Sequence, residues 1–122
     1  KKKLDIFQVE NILNKASGLK GISGISNDMR VLAKKAAQGN RRAKLAIDIF
    51  IYRIKKYIGA YTTIMAGCDA LVFTGGIGEN RKSVRKEIYK GAFSHLKKGP
   101  RVLVIPTNEE LMIARKAYKL IK

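Results

Sequence analysis

The apolar positions of this chain fall into two patterns, short continuous runs and longer stretches with helical spacing. The runs Ala70–Phe73 and Arg101–Ile105 predict two short buried strands, and Pro106 ends the second. Helix-spaced apolar residues precede, separate and follow these runs. The order of strand, helix, strand and helix predicts an α/β domain with a parallel pair of strands.

The stretches with helical spacing predict helices whose limits are marked by capping residues and glycines. Five helices are predicted. The first ends near Ser17, the second ends at Gly39, the third runs from a cap at Asn40 to about Met65, the fourth extends from Asn80 to Gly91, and the fifth follows Thr107. Asn27 or Ser26 is predicted to cap the second of these helices, with Asp28 in its first turn. Thr107 is predicted to cap the last helix, with Glu110 in a capping-box position.

The long helix that follows Asn40 changes character along its length. Its first half mixes charged and apolar residues, whereas no charged residue occurs from Tyr57 to Cys68. A helix that is apolar all round is buried on all sides, so we predict that the second half runs through the core or into a subunit interface. Tyr52 and Tyr61 recur with Tyr57 at helical spacing, and we interpret them as core or interface residues rather than as a platform for stacking bases.

Two glycine-rich segments are predicted to lie outside regular structure. Gly18 to Ser26 is a loop by composition. Gly75, Gly76 and Gly78 directly follow the first strand and predict a sharp turn into the next helix. A strand, a glycine turn and a helix start form a common phosphate or nucleotide site, because free N–H groups attract anions. The same composition also serves in plain connectors, so the glycines alone do not decide.

Composition adds a strong charge to this picture. The chain has 122 residues, 46% of them hydrophobic, which suits one domain with a core. Its formal net charge is +17, a value that suggests binding to nucleic acid or anionic membranes. The basic residues are nevertheless spread in pairs such as Lys34 with Lys35 and Lys55 with Lys56. We therefore interpret them as solvated surface and keep a basic nucleic-acid-binding module as the alternative.

Cysteine usage and hydropathy indicate a compartment. The one cysteine, Cys68, cannot form an intramolecular disulfide, which favours the reducing cytoplasm, and we interpret it as a buried small hydrophobic residue. The longest uncharged stretch is too short to span a bilayer as a helix, and no signal peptide is visible. We expect a cytoplasmic chain with no membrane segment.

Four strings of residues together resemble the acetate kinase family. They are Asp69–Asn80, with the sequence DALVFTGGIGEN, and the strings Ser17–Arg30, Tyr57–Tyr61 and Val104–Arg115. The strings occur in the order expected for the family and cover nearly the whole chain. The resemblance implies an α/β fold of the ribonuclease-H-like, actin-like ATPase class, mostly helical with short parallel strands.

The resemblance covers one lobe of such an enzyme. Acetate kinases are much longer, and residues 1–122 are similar to their C-terminal nucleotide-binding lobe, with the N-terminal lobe absent. The family transfers a phosphoryl group from ATP to acetate, giving acetyl phosphate and ADP, uses Mg²⁺, and forms homodimers largely through this lobe. The resemblance thus implies that the catalytic residues lie outside this chain and that the chain alone is inactive. Propionate or another short-chain acyl kinase is the close alternative, because the acyl pocket is not in this chain.

The resemblance also implies which residues bind the nucleotide and the metal. Asp28, Met29 and Arg30 match the adenosine-contacting segment, in which Asp28 would accept from ribose hydroxyls and Arg30 would lie against adenine. The other wall of the pocket would be formed by Gly76, Ile77, Gly78, Glu79 and Asn80. Glu109 matches the acidic residue associated with Mg²⁺, for which one carboxylate with waters and phosphates suffices.

Neighbouring residues receive more modest roles. Gly75 is expected to shape the turn, and Asn80 to cap the helix that follows while it bonds the ligand. Lys82 and Arg85 are close enough in sequence to reach phosphates, but we expect both to be exposed to solvent.

The chain departs from the family in one place. It is shorter than acetate kinases between Phe93 and Arg101. His95 lies in this stretch and does not match the family's active-site histidine, so we predict no catalytic or metal role for it. None of the binding motifs falls in this stretch.

Overall fold

The computed structural model describes residues 3–93, 96 and 98–121 of the chain. In chain order, their helices and strands are α1 (Ile6–Asn11), α2 (Gly18–Ser23), α3 (Met29–Ala37), α4 (Arg41–Ile64), β1 (Ala70–Phe73), α5 (Gly75–Asn80), α6 (Lys82–Tyr89), β2 (Arg101–Val104) and α7 (Glu109–Leu120). A π-helical turn, Ile12–Ala16, continues α1. The chain forms two compact units, one ending at Ala60 and the other beginning at Tyr61.

Helix α1 begins where Asp5 and Gln8 cap each other. The Asp5 carboxylate accepts from the Gln8 N–H at 2.8 Å, and the Gln8 side chain accepts from the Asp5 N–H at 3.1 Å. With the π-helical turn, the helical segment reaches Ala16, which agrees with the predicted end. Its apolar side chains add little to a core in this chain, since Phe7 is 77% exposed.

Helix α2 forms within the segment from Gly18 to Ser26 that was predicted to be a loop, so that prediction is wrong for Gly18–Ser23. Its apolar side chains Leu19 and Ile22, which lie one turn apart, pack against the core of the first unit. Gly24, at a φ of 69°, ends the helix. The Arg42 guanidinium donates to the Ile22 carbonyl at 2.9 and 3.1 Å and so satisfies a free helix end. Burial and these end contacts outweigh the low helix propensity of glycine.

The core of the first unit consists of residues from α3 and α4. Leu32 of α3 and Ala43 and Ala46 of α4 are fully buried. Met29, the first residue of α3, is 3% exposed. The Asn40 side chain caps α4 as predicted, because its oxygen accepts from the Ala43 N–H at 2.9 Å. The start of α3, where the predicted adenosine segment lies, is therefore anchored by a buried side chain.

The second half of α4 is largely open in this chain. Tyr57, Tyr61 and Ile64 are 49%, 59% and 80% exposed, and Tyr52 in the first half is 66% exposed. The prediction that this half runs through the core is therefore wrong, and the alternative, a subunit interface, stays a prediction. The uncharged composition indicates that this half of α4 is buried by another element, but it does not indicate whether that element belongs to the same chain or to another subunit.

The second unit is built on the parallel pairing of β1 with β2. The register sets Ala70 opposite Arg101 and Phe73 opposite Val104. Helices α5 and α6 connect the two strands, which confirms the predicted α/β order. Because the strands are parallel, the segments that follow Phe73 and Val104 begin at the same edge of the sheet.

Helix α6 packs as its spacing predicted, whereas β2 does not. Val84, Ile88 and the later Phe93 are 7%, 3% and 6% exposed. Every residue of β2 is exposed, and Val72 of β1 is 47% exposed, so the prediction of two buried strands is wrong. Among the described residues the sheet has two strands, which leaves each with a neighbour on one side.

Three further expectations concern isolated features. Cys68 is free and half-buried rather than fully buried. Across the described parts of the chain, none of the helices pairs the length of a bilayer span with the hydrophobicity that a span requires. His95 lies outside the described residues.

The small core of the first unit gives a direct stability test. Leu32→Ala should lower the free energy of unfolding by about 2–5 kcal/mol, because Leu32 is fully buried and the substitution leaves a cavity. Urea unfolding followed by circular dichroism measures the change. Leu45→Ala makes the same chemical change at a position that is 51% exposed and should cost less than about 1 kcal/mol. Equal losses in the two variants would contradict the core described above.

Candidate functional site

Asp28 is the N-cap of α3. Its Oδ1 accepts from the Arg30 N–H at 2.7 Å, and its own N–H donates to the Ser26 hydroxyl at 3.0 Å. The prediction that Asn27 or Ser26 caps this helix is therefore wrong. A carboxylate is a stronger acceptor for the first free N–H groups than a hydroxyl or an amide, so Asp28 takes the cap. The buried Ser23 hydroxyl accepts from N–H groups of the preceding turn and holds that turn in place.

Asp28 and Arg30 also form a two-pronged ion pair. Arg30 Nη2 lies 2.6 Å from Asp28 Oδ2, and Arg30 Nε donates to both carboxylate oxygens at 3.0 and 3.1 Å. The side chain of Arg30 is 79% exposed and that of Asp28 is 32% exposed. The planar guanidinium is thus held at a fixed orientation on the surface, where a flat ring could lie against it.

The same pair changes the acidity of Asp28. Hydrogen bonds from the Arg30 side chain, followed by the Arg30 N–H, lower the pKa of Asp28 to about 2. The Asp28 carboxylate in turn raises the pKa of Arg30. Asp28 is therefore an ionised hydrogen-bond acceptor at any physiological pH.

Met29 differs from its two neighbours. Its side chain is 3% exposed and belongs to the interior of the first unit. The structure therefore places Met29 where its side chain anchors the start of α3, while Asp28 and Arg30 project at the surface. Nucleotide contact stays a prediction for Asp28, Met29 and Arg30. Only the side chains of Asp28 and Arg30 lie at the surface, where they can reach a ligand directly.

The glycine segment after β1 is a short helix, α5, rather than the predicted sharp turn. Gly75 begins it with a φ of 72°, a value that favours glycine, in agreement with a role in shaping the chain. Glu79 Oε1 accepts from the Gly75 N–H at 2.8 Å, which satisfies a free donor at the helix start. Polar side chains near the ends thus stabilise a helix that its glycines disfavour.

Arg85 secures the other end of α5. Its guanidinium donates to the carbonyl oxygens of Gly78 and Glu79 at 2.8 and 2.7 Å. Arg85 is half-buried, so the prediction of a solvent-exposed side chain is wrong, whereas Lys82 is exposed as expected. The carbonyls that end α5 needed a donor, and an arginine one helix later supplies it.

The remaining residues of α5 differ in what surrounds them. A side chain at Gly76 would meet no atom within 4 Å, whereas one at Gly78 would touch the backbone of Phe73 at 3.4 Å. Gly76 therefore leaves open space beside α5, and Gly78 allows α5 to pack on β1. Ile77 is half-buried. The Asn80 amide donates back to the Gly76 carbonyl at 3.0 Å, so the prediction that Asn80 caps α6 is wrong.

Glu79 is joined to the segment that follows β2. Its Oε1 accepts from the N–H of Thr107 at 2.9 Å and from the Thr107 hydroxyl at 2.7 Å. These hydrogen bonds hold the pKa of Glu79 below its usual range, and the bond from the Thr107 hydroxyl has the largest effect. The Thr107 hydroxyl lies 3.0 Å from that of Thr74 and accepts from the Gly75 N–H at 2.8 Å. The segment after β1 and the segment after β2 are therefore joined by hydrogen bonds at this edge of the sheet.

Glu109 is the first residue of α7 and is exposed. The cap of α7 is Asn108, whose oxygen accepts from the Leu111 N–H at 3.0 Å, so the predicted capping by Thr107 with Glu110 is wrong. The Thr107 hydroxyl instead donates to Glu79 and accepts from the Gly75 N–H. No group of three possible metal ligands occurs among the described residues. A single exposed carboxylate nevertheless fits Mg²⁺, which takes most of its ligands from waters and substrate phosphates.

Some of the predicted site residues are linked by hydrogen bonds within the second unit, and the others belong to the first unit. Within the second unit, α5 and the segment that leads to Glu109 share hydrogen bonds through Thr107. Asp28, Met29 and Arg30 belong to the first unit. The contacts that Thr107 and Arg85 make with α5 were not predicted. The parallel order of the strands could have indicated Thr107, since it places the loops after β1 and β2 at one edge.

Comparison with known proteins identifies the family. A family model described as the Acetokinase family matches residues 1–98. An acetate kinase of Heliobacterium modesticaldum is 46% identical over an alignment that covers 100% of this chain and 36% of that protein. An acetate kinase of Geobacillus kaustophilus is 47% identical, with 93% of this chain and 34% of that protein covered. The chain thus spans about a third of the length of these relatives.

Solved structures agree with this result. Acetate kinase of Porphyromonas gingivalis matches with a TM-score of 0.78 and 37% identity, over 98% of this chain and 35% of that one. A propionate kinase of Francisella tularensis matches with a TM-score of 0.78 and 42% identity, over 91% and 33%. The chain is therefore an α/β lobe of the kind found in carboxylate kinases, which confirms the predicted ribonuclease-H-like, actin-like fold class. It belongs to the acetokinase family.

The comparison also bears on chain length. The alignment with the Heliobacterium modesticaldum protein has 142 positions, whereas this chain has 122 residues. The relative therefore carries residues that this chain does not have. The stretch between Phe93 and Arg101 stays the predicted place of the difference.

The ion pair at the start of α3 yields a prediction about pH. The Asp28 carboxyl should titrate with a midpoint of about 2, and in Arg30→Ala the midpoint should rise towards the ordinary value of about 3.9. Because the folded-state pKa is lowered, the stabilisation by this pair is present above the unfolded-state pKa and is lost as the pH falls towards about 2. Carboxyl ¹³C chemical shifts measure the midpoint. Arg53→Ala, at an exposed arginine of α4, should leave it unchanged.

Proposed function

We propose that this chain forms the adenosine- and magnesium-binding part of an ATP:acetate phosphotransferase. The whole enzyme would reversibly convert acetate and ATP into acetyl phosphate and ADP. The observation that carries the proposal is the exposed Arg30 guanidinium held in one plane by Asp28, in a chain 46% identical to an acetate kinase. A fixed cationic plane beside an ionised acceptor suits recognition of an adenine ring together with ribose hydroxyls.

In this proposal, the residues predicted to bind the nucleotide each carry a group or leave a space that suits that role. Arg30 supplies a flat surface for adenine, and the partly exposed Asp28 carboxylate is the proposed acceptor for a ribose hydroxyl. The open position at Gly76 gives the ligand space beside α5, and Ile77 and Asn80 offer an apolar surface and an amide. Binding of this kind supports phosphoryl transfer by positioning the reactants.

Glu109 would provide one oxygen ligand to Mg²⁺. When bound, the ion would neutralise charge on the transferred phosphoryl group. Glu109 suits this role because it is exposed at the first turn of α7 and its carboxylate takes no part in capping that helix. The catalytic residues are proposed to lie in the part of the enzyme that this chain does not include, so we expect no phosphoryl transfer by the chain alone.

Acetate is proposed as the acceptor because the curated relatives cited above are named acetate kinases. A propionate kinase is 42% identical to this chain, which supports propionate as the second candidate. We also propose a homodimer, as the resemblance implies, and a cytoplasmic location. The exposed second half of α4, which ends at Ile64, and the exposed Met65 that follows it form a suitable apolar surface for that contact.

An adenosine titration tests the nucleotide-binding proposal. Adenosine carries no charge and therefore does not respond to the net charge of +17. We expect saturable binding by isothermal titration calorimetry, weakened about tenfold or more in Arg30→Ala because the stacking surface is lost. Arg53→Ala removes an equally basic, exposed side chain from the same unit and should leave the affinity unchanged. Circular dichroism establishes that each variant is folded.

Salt dependence distinguishes this function from binding to a polyanion. Adenosine affinity should hardly change between low and moderate salt, whereas binding of nucleic acid through many phosphate contacts falls steeply over that range. A folded chain that ignores adenosine but binds DNA at low salt would contradict the proposal and support a basic nucleic-acid-binding module.

A further inference from the structure

One carboxylate oxygen organises the edge of the sheet in the second unit. Glu79 Oε1 accepts from the Gly75 N–H at 2.8 Å, from the Thr107 N–H at 2.9 Å and from the Thr107 hydroxyl at 2.7 Å. An ionised carboxylate can only accept, so the single hydroxyl proton of Thr107 points to Glu79. The hydroxyl of Thr74, 3.0 Å from that of Thr107, is then the donor in the bond between the two threonines.

These hydrogen bonds connect two functional segments. The donor from Gly75 belongs to the start of α5, and the donors from Thr107 belong to the segment that follows β2. Asn108 follows Thr107 directly and caps α7, in which Glu109 is the first residue. The direction in which Glu109 leaves the sheet is therefore set through Thr107, and Thr107 is held by Glu79.

We propose that Glu79 is a positioning residue that orients Glu109 through Thr107 and does not itself bind the nucleotide or the metal. This inference rests on the proposed function, since Glu109 is taken as the ligand of Mg²⁺. Three donors already occupy Oε1 of Glu79, which leaves that oxygen little capacity for a ligand. Hydrogen bonds to an ionised group are among the stronger ones in proteins, so their loss should loosen the first turn of α7.

The proposal assigns different effects to nucleoside binding and to metal binding. Adenosine carries no phosphate and needs no Mg²⁺, so its affinity should not depend on the orientation of Glu109. The affinity for ADP should rise when Mg²⁺ is added, and that rise should depend on Glu109. Glu79 should therefore affect the gain in ADP affinity on addition of Mg²⁺ and leave adenosine affinity unchanged.

The test measures the affinity of the 122-residue chain for ADP with and without Mg²⁺, and for adenosine, by calorimetry. Glu79→Ala should lower the magnesium-dependent gain about tenfold. Glu79→Gln should keep the gain within about threefold, because the amide oxygen still accepts from Gly75 and Thr107. Glu109→Gln should abolish the gain, because an amide is a poor replacement for a carboxylate ligand of Mg²⁺. Glu87→Ala, at an exposed carboxylate of α6, is the matched control.

The threonine provides an independent pair of variants. Thr107→Ser keeps the hydroxyl and should behave as the unsubstituted chain does, whereas Thr107→Val removes it and should reproduce part of the effect of Glu79→Ala. Combining Glu79→Ala with Thr107→Val should add little, because both remove the same contact. If Glu79→Ala fails to fold by circular dichroism, the comparison of serine with valine decides the question.

A measurement without ligand examines the structural step alone. The Leu111 N–H donates to Asn108 in the cap of α7. Its hydrogen exchange should become faster in Glu79→Ala and stay unchanged in Glu87→Ala.

Two results would overturn the inference, and a third would overturn more than the inference. A full magnesium-dependent gain in folded Glu79→Ala and Thr107→Val would show that Glu79 has no positioning role. A loss in Glu79→Gln as complete as in Glu109→Gln would show that Glu79 is itself a metal ligand. Failure of the unsubstituted chain to bind adenosine and ADP would overturn the proposed function as well, and it would be evident before any substitution is made.

Discussion

The parallel pairing of β1 with β2 is the constraint on which the second unit depends. Phe73 and Val104 are paired at the ends of the two strands, and the Ile105 N–H continues the ladder by donating to the Phe73 carbonyl at 2.9 Å. The residues that follow β1 and those that follow β2 therefore lie at the same edge of the sheet. Thr74 and Thr107 meet there at 3.0 Å, although 33 positions separate them in the sequence. An antiparallel pair would have put these residues at opposite ends of the sheet.

Ionised carboxylates have specific structural roles in a chain with few of them. There are 9 acidic residues against 26 basic ones. Asp28 orients Arg30 and caps α3, and Glu79 joins α5 to Thr107. Both carboxylates have a lowered pKa because specific donors surround them, so each stays ionised to a lower pH than is usual for its side chain. The exposed pair Lys44 with Asp48, in contrast, adds little stability.

The sequence predicted the elements that depend on local pattern and missed those that depend on distant contacts. The span of β1 and the Asn40 cap of α4 follow from an apolar run and a capping residue, and both are confirmed. Helix α2 was missed because the Arg42 contact that supports it comes from 20 positions away. The candidate site residues came from resemblance, yet the burial of Met29 and the contact between Glu79 and Thr107 required the packed structure.

Helix α5 shows why a glycine-rich segment can still have one defined shape. Six residues with three glycines are far too short and too flexible to form a stable helix alone. Glu79 supplies an acceptor at the first N–H, and Arg85 supplies donors at the last carbonyls. These are the groups that every helix leaves unpaired at its ends, so satisfying them has its largest effect on a helix of one or two turns. The open backbone at Gly76 is thus held rigid by side chains that leave its surface clear, and a preformed surface of this kind binds a ligand with little ordering cost.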